Sequence, residues 1–263
     1  MRRIAIALSL LLLALHAPPA PADGFAALVS PPRFELKAKP SSIVRQVLEI
    51  TNRSPAPSQL SVHTADFRLT ADYGVSFSEA LAPGSCRPWV ALERPEVTLP
   101  GGATIRYRFE VQVPADAPPG ECRFGIMIEG KEPVMAQAGA LRLPVSGRIG
   151  VIVYLVIGAG APQLEMFGPD VVTLNGQRVP ALRIHNAGTA HGRMSGFLTG
   201  TDAKGVRYDF TPSDFPILPG DVREVFLTPS TASDDRPTLT FPVTVRGTLE
   251  WGDQKTALDE HFQ

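Results

Sequence analysis

The sequence predicts an all-β protein, two tandem immunoglobulin-like β-sandwich domains behind a cleaved signal peptide. Three observations predict it. Apolar and polar residues alternate at the period of two that a pleated strand imposes, most cleanly where Ile105, Tyr107, Phe109, Val111 and Val113 are set against Arg106, Arg108, Glu110 and Gln112. The 26 prolines and 23 glycines follow no repeat and cut the chain into short segments, leaving no helix of normal length signalled anywhere. The strand-and-turn pattern starts again after Gly158-Ala159-Gly160-Ala161-Pro162. The 263 residues therefore divide into a signal peptide over 1–22 and two domains over 23–158 and 162–263.

Met1-Arg2-Arg3 is a basic n-region, Ile4 to Leu15 an apolar h-region, and Ala20-Pro21-Ala22 a small-residue cleavage pattern before Asp23. The apolar run is too short for the ~20 residues that a membrane-spanning helix needs. No cysteine near the cut offers a lipid anchor, so the mature chain is expected to be exported and soluble. Losing Arg2 and Arg3 takes the formal charge from −1 to about −3, which gives no electrostatic case for nucleic acid as a partner. The two cysteines are Cys86 and Cys122. In an oxidising compartment an isolated pair most simply forms one disulfide, worth roughly 3–4 kcal/mol in the chain-entropy model.

In chain order, Ala27 to Ser30 and Arg33 to Lys37 read as a first strand broken by Pro31-Pro32. Val44 to Asn52 follows, ending at the turn Asn52-Arg53-Ser54-Pro55, which also spells a glycosylation sequon. Gln59 to Phe67 is the next strand, and Arg68 to Cys86 a looser region. Trp89 to Leu92 and Val97 to Leu99 lead into the turn Pro100-Gly101-Gly102 and then the alternating strand Ile105 to Val113. Cys122, Phe124, Ile126 and Ile128 share one face of the following strand, and Lys131 to Ala138 reads as a polar loop. That makes about seven strands, the plan of an immunoglobulin-like sandwich.

Gly139 to Gly158 then reads as one strand of unusual length. Its first half alternates, with Leu141, Leu143 and Val145 on one face and Arg142, Pro144, Ser146 and Arg148 on the other; its second half, Ile149 to Ile157, is nearly all apolar, as in a strand buried on both faces. Pro144 has no N–H for a ladder, which puts this part at a sheet edge. A long apolar edge invites another chain to pair with it. Alternation alone does not say whether the Leu141 row meets such a partner or fills its own domain's core.

Beyond the linker, Leu182-Arg183-Ile184-His185-Asn186 echoes Leu48-Glu49-Ile50-Thr51-Asn52, and Ile217-Leu218-Pro219-Gly220 echoes Thr98-Leu99-Pro100-Gly101. Chemistry is absent from the pattern. There is no Gly-x-Ser-x-Gly elbow, phosphate loop, dinucleotide fingerprint or Cys-x-x-Cys. His185 and His191 flank a turn at a spacing with no ligand logic, His63 lies alone on a strand, and Asp234-Asp235 sits in a Ser/Pro-rich loop. No enzyme activity, cofactor, metal or small-molecule substrate is expected.

Two such domains, a signal peptide and the long alternating strand closing the first domain resemble the PapD-like periplasmic chaperones of the chaperone–usher pathway. The resemblance spans nearly the whole mature chain in order of elements. In that family a basic residue in the first strand and another late in the last strand of domain one anchor a pilus subunit's C-terminal carboxylate. Arg33 in Pro32-Arg33-Phe34 matches the first. Placing Leu141, Leu143 and Val145 on the family's alternating residues puts the expected lysine at Gly150; Arg148, about 6.6 Å earlier on the same face, takes its place as the second anchor. A further family stretch is similar to Glu121-Cys122-Arg123-Phe124, with Met127 where an Asn is expected and Pro133 near the closing proline. The short loop between the last two strands resembles the family's short-loop branch.

The resemblance implies a divergent member acting by donor-strand complementation, in which Leu141, Leu143 and Val145 supply the strand that a fibre subunit lacks. It also implies a periplasmic location, pilus or surface-fibre subunits as partners, and an outer-membrane usher as a further candidate. The alternative from another class is a structural or adhesive secreted immunoglobulin-like protein without chaperone activity.

Overall fold

In the computed structural model, which describes residues 25–138, 141–232 and 237–263, the chain is built from β-strands, with no α-helix among the described residues. The signal peptide and Asp234-Asp235 lie outside the described residues.

The first half contains β1 (Ala27–Ser30), β2 (Arg33–Ala38), β3 (Ile43–Asn52), β4 (Ser58–Leu69), β5 (Val75–Ser78), β6 (Val90–Leu92), β7 (Glu96–Leu99), β8 (Thr104–Gln112), β9 (Gly120–Gly130), β10 (Val134–Ala138), β11 (Leu141–Val145) and β12 (Arg148–Ile157). Two sheets face each other. One has the order β1-β3-β8-β6; the other runs β2-β12-β9-β4-β5, with β7 also on β4. The Pro31-Pro32 break lets the first strand change sheets, so that β1 pairs antiparallel with β3 while β2 pairs parallel with β12. The predicted inward rows meet between the sheets. Leu48, Ile50, Tyr107, Phe109 and Val111 pack against Phe34, Phe124, Ile126, Ile128, Val151, Val153 and Leu155. The Phe109 ring stands edge-on to both Phe34, at 5.2 Å between centroids, and Phe124, at 6.4 Å. Each such side chain contributes roughly 1.5–3 kcal/mol on burial.

Four expectations need correction. The region Arg68 to Cys86 is not loose throughout, since it carries β5, which folds back on β4 with Phe67 opposite Phe77. Trp89 ends a 3-10 turn over Arg87–Trp89, held by the Trp89 N–H to the Cys86 carbonyl, and the strand begins only at Val90. The polar stretch Lys131 to Ala138 contains β10, whose partner is β11. The long strand is two strands, because β11 pairs with β10 in a separate two-stranded sheet while β12 lies between β9 and β2.

Cys86 and Cys122 are joined, with Cα atoms 5.8 Å apart. The bond ties β9 to the turn that leads into β6, and therefore one sheet to the other. The adjacent Arg87 guanidinium donates to the Thr64 hydroxyl and carbonyl, the Asp66 carboxylate and the Glu79 carbonyl, which seats this connection on β4.

The second half comprises β13 (Leu164–Leu174), β14 (Gln177–Asn186), β15 (Ser195–Thr201), β16 (Arg207–Pro212), β17 (Val222–Ser230), β18 (Val243–Trp251) and β19 (Gln254–Phe262), in the order β13-β14-β17-β16-β15-β18-β19. Strand β17 turns the corner: Val222 to Phe226 pair with β14, and Leu227 to Ser230 with β16. The path folds around its own core of Leu182, Ile184, Leu198, Phe210, Leu227, Val243, Val245 and Phe262.

The internal echo has a physical basis in two buried asparagines. Asn52 Oδ1 accepts the Ser54 N–H, and its Nδ2 donates to the carbonyls of Ala56, Leu99 and Pro100. Asn186 Oδ1 accepts the Gly188 and Gln163 N–H groups, and its Nδ2 donates to Ala190 and Ile217. In both halves a strand end is thus fastened to its own turn and to the Leu-Pro-Gly turn opposite. The Asn52 side chain is consumed inside the fold.

Two predictions follow from these contacts. Reduction of the disulfide, or Cys86→Ser, should lower unfolding stability by roughly 3 kcal/mol, read from denaturant melts with and without reductant. Burial pushes the Asp202 carboxyl up, but N–H bonds from Val206, Lys204 and Thr240 and the Tyr208 hydroxyl outweigh it and hold its pKa below that of an ordinary aspartate. A depressed pKa stabilises the fold above the ordinary aspartate value and ceases to do so as pH falls through the folded-state value. Asp202→Asn should therefore cost about 2 kcal/mol at pH 7 and flatten the stability curve below pH ~4, measured by thermal melts against pH.

Candidate functional site

Strands β10 and β11 form an arm. Val134 stands opposite Val145, Ala136 opposite Leu143 and Ala138 opposite Leu141, and among the described residues neither strand pairs with anything else. Leu141, Leu143 and Val145 are 65%, 49% and 46% exposed, and Met135 is 53% exposed. This row is no part of the first half's core. Pro144, opposite Met135, lies in this two-stranded sheet, where a missing N–H costs little.

The arm leaves the sheet at an unequal count of residues. Gly130 donates its N–H to the Gly147 carbonyl, Val134 is opposite Val145, and so residues 131–133 face Ser146 alone. Extra residues on one strand bend the ladder. Phe25 fills the bend, its ring against Gly147, where a Cβ would overlap it, and also against Gly130.

Arg33 and Arg148 are not brought together. Arg33 is opposite Ile152 in the parallel pair, whereas Arg148 is opposite Glu129 at the start of β12. Four residues of strand separate the two levels, about 13 Å. Arg33 Nε lies 2.9 Å from Glu35 Oε1. The position between them is Gly150, and a Cβ there would fall within the Phe77 ring. The same ring covers Gly125 on β9, 2.7 Å from where a Cβ would be. The face of the large sheet opposite its core is therefore roofed at this level by β5.

That face also meets the second half. Glu121, whose side chain is fully buried, accepts the His191 N–H at 2.9 Å, and the His191 ring Nδ1 lies 2.5 Å from the same oxygen. The His191 ring sits on Tyr154 with centroids 4.0 Å apart. Arg193 Nε reaches Glu35 Oε1 at 3.4 Å, so Glu35 is shared by Arg33 and Arg193. Burial pushes the Tyr154 hydroxyl's pKa up, with Arg193 pulling the other way. A cleft of about 520 Å³ lies alongside, lined by Lys37, Tyr154, His191, Arg193 and Trp251 among others. His185 pairs with Glu165 and His63 lies 3.8 Å from Glu79; among the described residues no group of three or more His, Cys, Asp or Glu could hold a metal.

Sequence reasoning did not reach Phe25, Phe77, Glu121 or Arg193 in these roles, and it had His191 as a turn residue. One signal was available. Gly125 and Gly150 interrupt apolar strand interiors, which marks a close approach by another group. Glu121→Ala should strip His191 of its buried partner and cost about 3 kcal/mol, measured by urea unfolding, whereas Glu129→Ala at the half-buried far end of the same strand should cost under ~1 kcal/mol.

No family model matches the sequence, and no curated protein matches it. Solved structures do align along most of its length. The class 5 fimbriae chaperone CfaA is 13% identical, with 89% of this chain and 98% of that chain covered and a TM-score of 0.48. The CsuC–CsuE chaperone–tip adhesion subunit pre-assembly complex from the archaic chaperone–usher Csu pili of Acinetobacter baumannii gives 13%, 90%, 99% and 0.46. The E. coli chaperone DraB gives 15%, 91%, 97% and 0.45. The chain is similar to these pilus chaperones; at such identities and TM-scores the likeness carries no argument for what this chain does.

Proposed function

We propose that the chain is a periplasmic chaperone for a pilus or other surface-fibre subunit, exported by a signal peptide over 1–22 and divided into a chaperone domain over 23–158 and a second immunoglobulin-like domain over 162–263. Its β11 lends Leu141, Leu143 and Val145 to a client sandwich that lacks a strand. One observation carries the reading, the exposed apolar row on an arm whose strands, among the described residues, pair only with each other. Such a row on a bare edge is what soluble proteins normally avoid, and it is what strand addition requires. If all three side chains are buried by a client, the gross gain is roughly 5–9 kcal/mol before ordering costs. A structural or adhesive protein has no use for an arm bent out of its own sheet.

Arg33 is the proposed anchor for a client carboxylate, because it stands on the cleft face with a guanidinium that a second carboxylate can approach. Arg148, about 13 Å away along the strand, is a separate cation near the root of the arm and acts on a different part of the client. An outer-membrane usher is a further partner in this reading.

Leu143→Glu separates the possibilities. Because the side chain is already in solvent, the melting temperature should stay within about 2 °C of wild type, while recovery of a co-expressed fibre subunit from the periplasm falls at least tenfold. Arg33→Ala should also lose the client with the fold intact. Undiminished client recovery from both variants would remove the chaperone reading.

A further inference from the structure

We propose that the β4–β5 hairpin is a clasp that sets the angle between the two halves of the molecule. The inference does not depend on the chaperone reading. The hairpin holds domain one at its base and domain two at its tip, and each hold is specific.

At the base, Phe67 and Phe77 are cross-strand partners 6.4 Å apart. The Phe77 ring lies against two glycines on adjacent strands, Gly125 of β9 and Gly150 of β12, where any larger residue would collide with it. Phe67 stands edge-on to Tyr154 at 5.8 Å. The two glycines thus form a shallow socket, and the ring seated in it holds the hairpin down on the sheet.

At the tip, the turn closes through the Thr70 N–H to the Gly74 carbonyl and the Tyr73 N–H to the Thr70 carbonyl. Tyr73 takes the left-handed conformation at φ 63°, an uncommon one for a residue with a side chain. That conformation aims its ring at the second half. It packs 4.8 Å from Phe226 and 5.0 Å from Phe215, and its hydroxyl reaches Glu224 at 3.5 Å. Arg223 donates back to the Thr70 carbonyl at 3.1 Å. Beneath the ring lies a small cluster of Val179, Ala181 and Phe226, separate from the core of the second half. Tyr73 comes from the other half of the molecule and packs against that cluster as its cover.

The linker Gly158 to Pro162 is tied to the first half by the Gly158 N–H to the Ala38 carbonyl and to the second by the Thr189 and Ala190 N–H groups to the Ala161 carbonyl. The Glu121–His191 contact and the Arg193–Glu35 ion pair lie beside it around the same cleft and form one patch of attachment. A single patch leaves a pivot, and the clasp supplies a second hold outside it that stops rotation.

Two variants test the clasp from opposite ends. Tyr73→Ala removes the tip contact and Phe77→Ala empties the socket. Small-angle scattering of the mature, oxidised chain should show a broadened distance distribution for each, and Tyr73→Phe should restore the wild-type profile. Amide exchange at Ala181 and Phe226 should rise at least tenfold in Tyr73→Ala, while β9, stapled by the disulfide, and its neighbour β12 keep wild-type protection. Wild-type scattering from either alanine variant would overturn the proposal. So would a rise in exchange spread evenly over β9 and β12, because that pattern reports general destabilisation and not release of a clasp.

Discussion

Everything distinctive in this molecule depends on one constraint, that a pair of strands longer than its sheet must leave backbone edges without partners. Strand β2 covers β12 only over Ile152–Ile157, and β4 covers β9 as far as Gly130. Beyond that point the hairpin continues as β10 and β11 with no neighbour among the described residues. Inside the sheet, the apolar residues of β12 serve a core. On the arm, the same alternation serves nothing in its own fold. The bend at Gly147, filled by Phe25, divides one run of sequence into a buried strand and an offered one.

The division explains how far the sequence could be read. Rows such as Tyr107, Phe109 and Val111 follow a period of two and end up wholly buried, because a strand's geometry is written in consecutive residues. The Asn52 and Asn186 echo was visible as spacing, and its hydrogen bonds turn out to repeat nearly atom for atom. What escaped notice depends on pairs far apart in the chain. Nothing local to Val75-Ser76-Phe77-Ser78 says that its ring will seat on Gly125 and Gly150, and nothing near Glu121 announces His191 seventy residues later. The polar look of Lys131 to Ala138 misled for a related reason. A strand in an arm has no second sheet to pack against, so only one of its faces needs to be apolar, and short alternation in Ala and Gln reads as a loop.

The same long-range logic bears on the charged residues of the cleft face. Resemblance had set two basic residues side by side, and the register holds them apart, with a glycine under an aromatic ring at the intervening level. A lysine at Gly150 would have to displace Phe77, and with it the base of the β4–β5 hairpin. The anchor position and the hairpin socket are therefore mutually exclusive uses of one spot on β12, and this chain has taken the second. The basic residue of β2, Arg33, is not free. Glu35 holds it at 2.9 Å and also reaches Arg193 of the second half. An incoming carboxylate would find two guanidinium groups sharing one acceptor, which leaves donors unused on both. An anion that docked at Arg33 would thereby also be coupled to Arg193, because Glu35 contacts both guanidinium groups and Arg193 belongs to the second half.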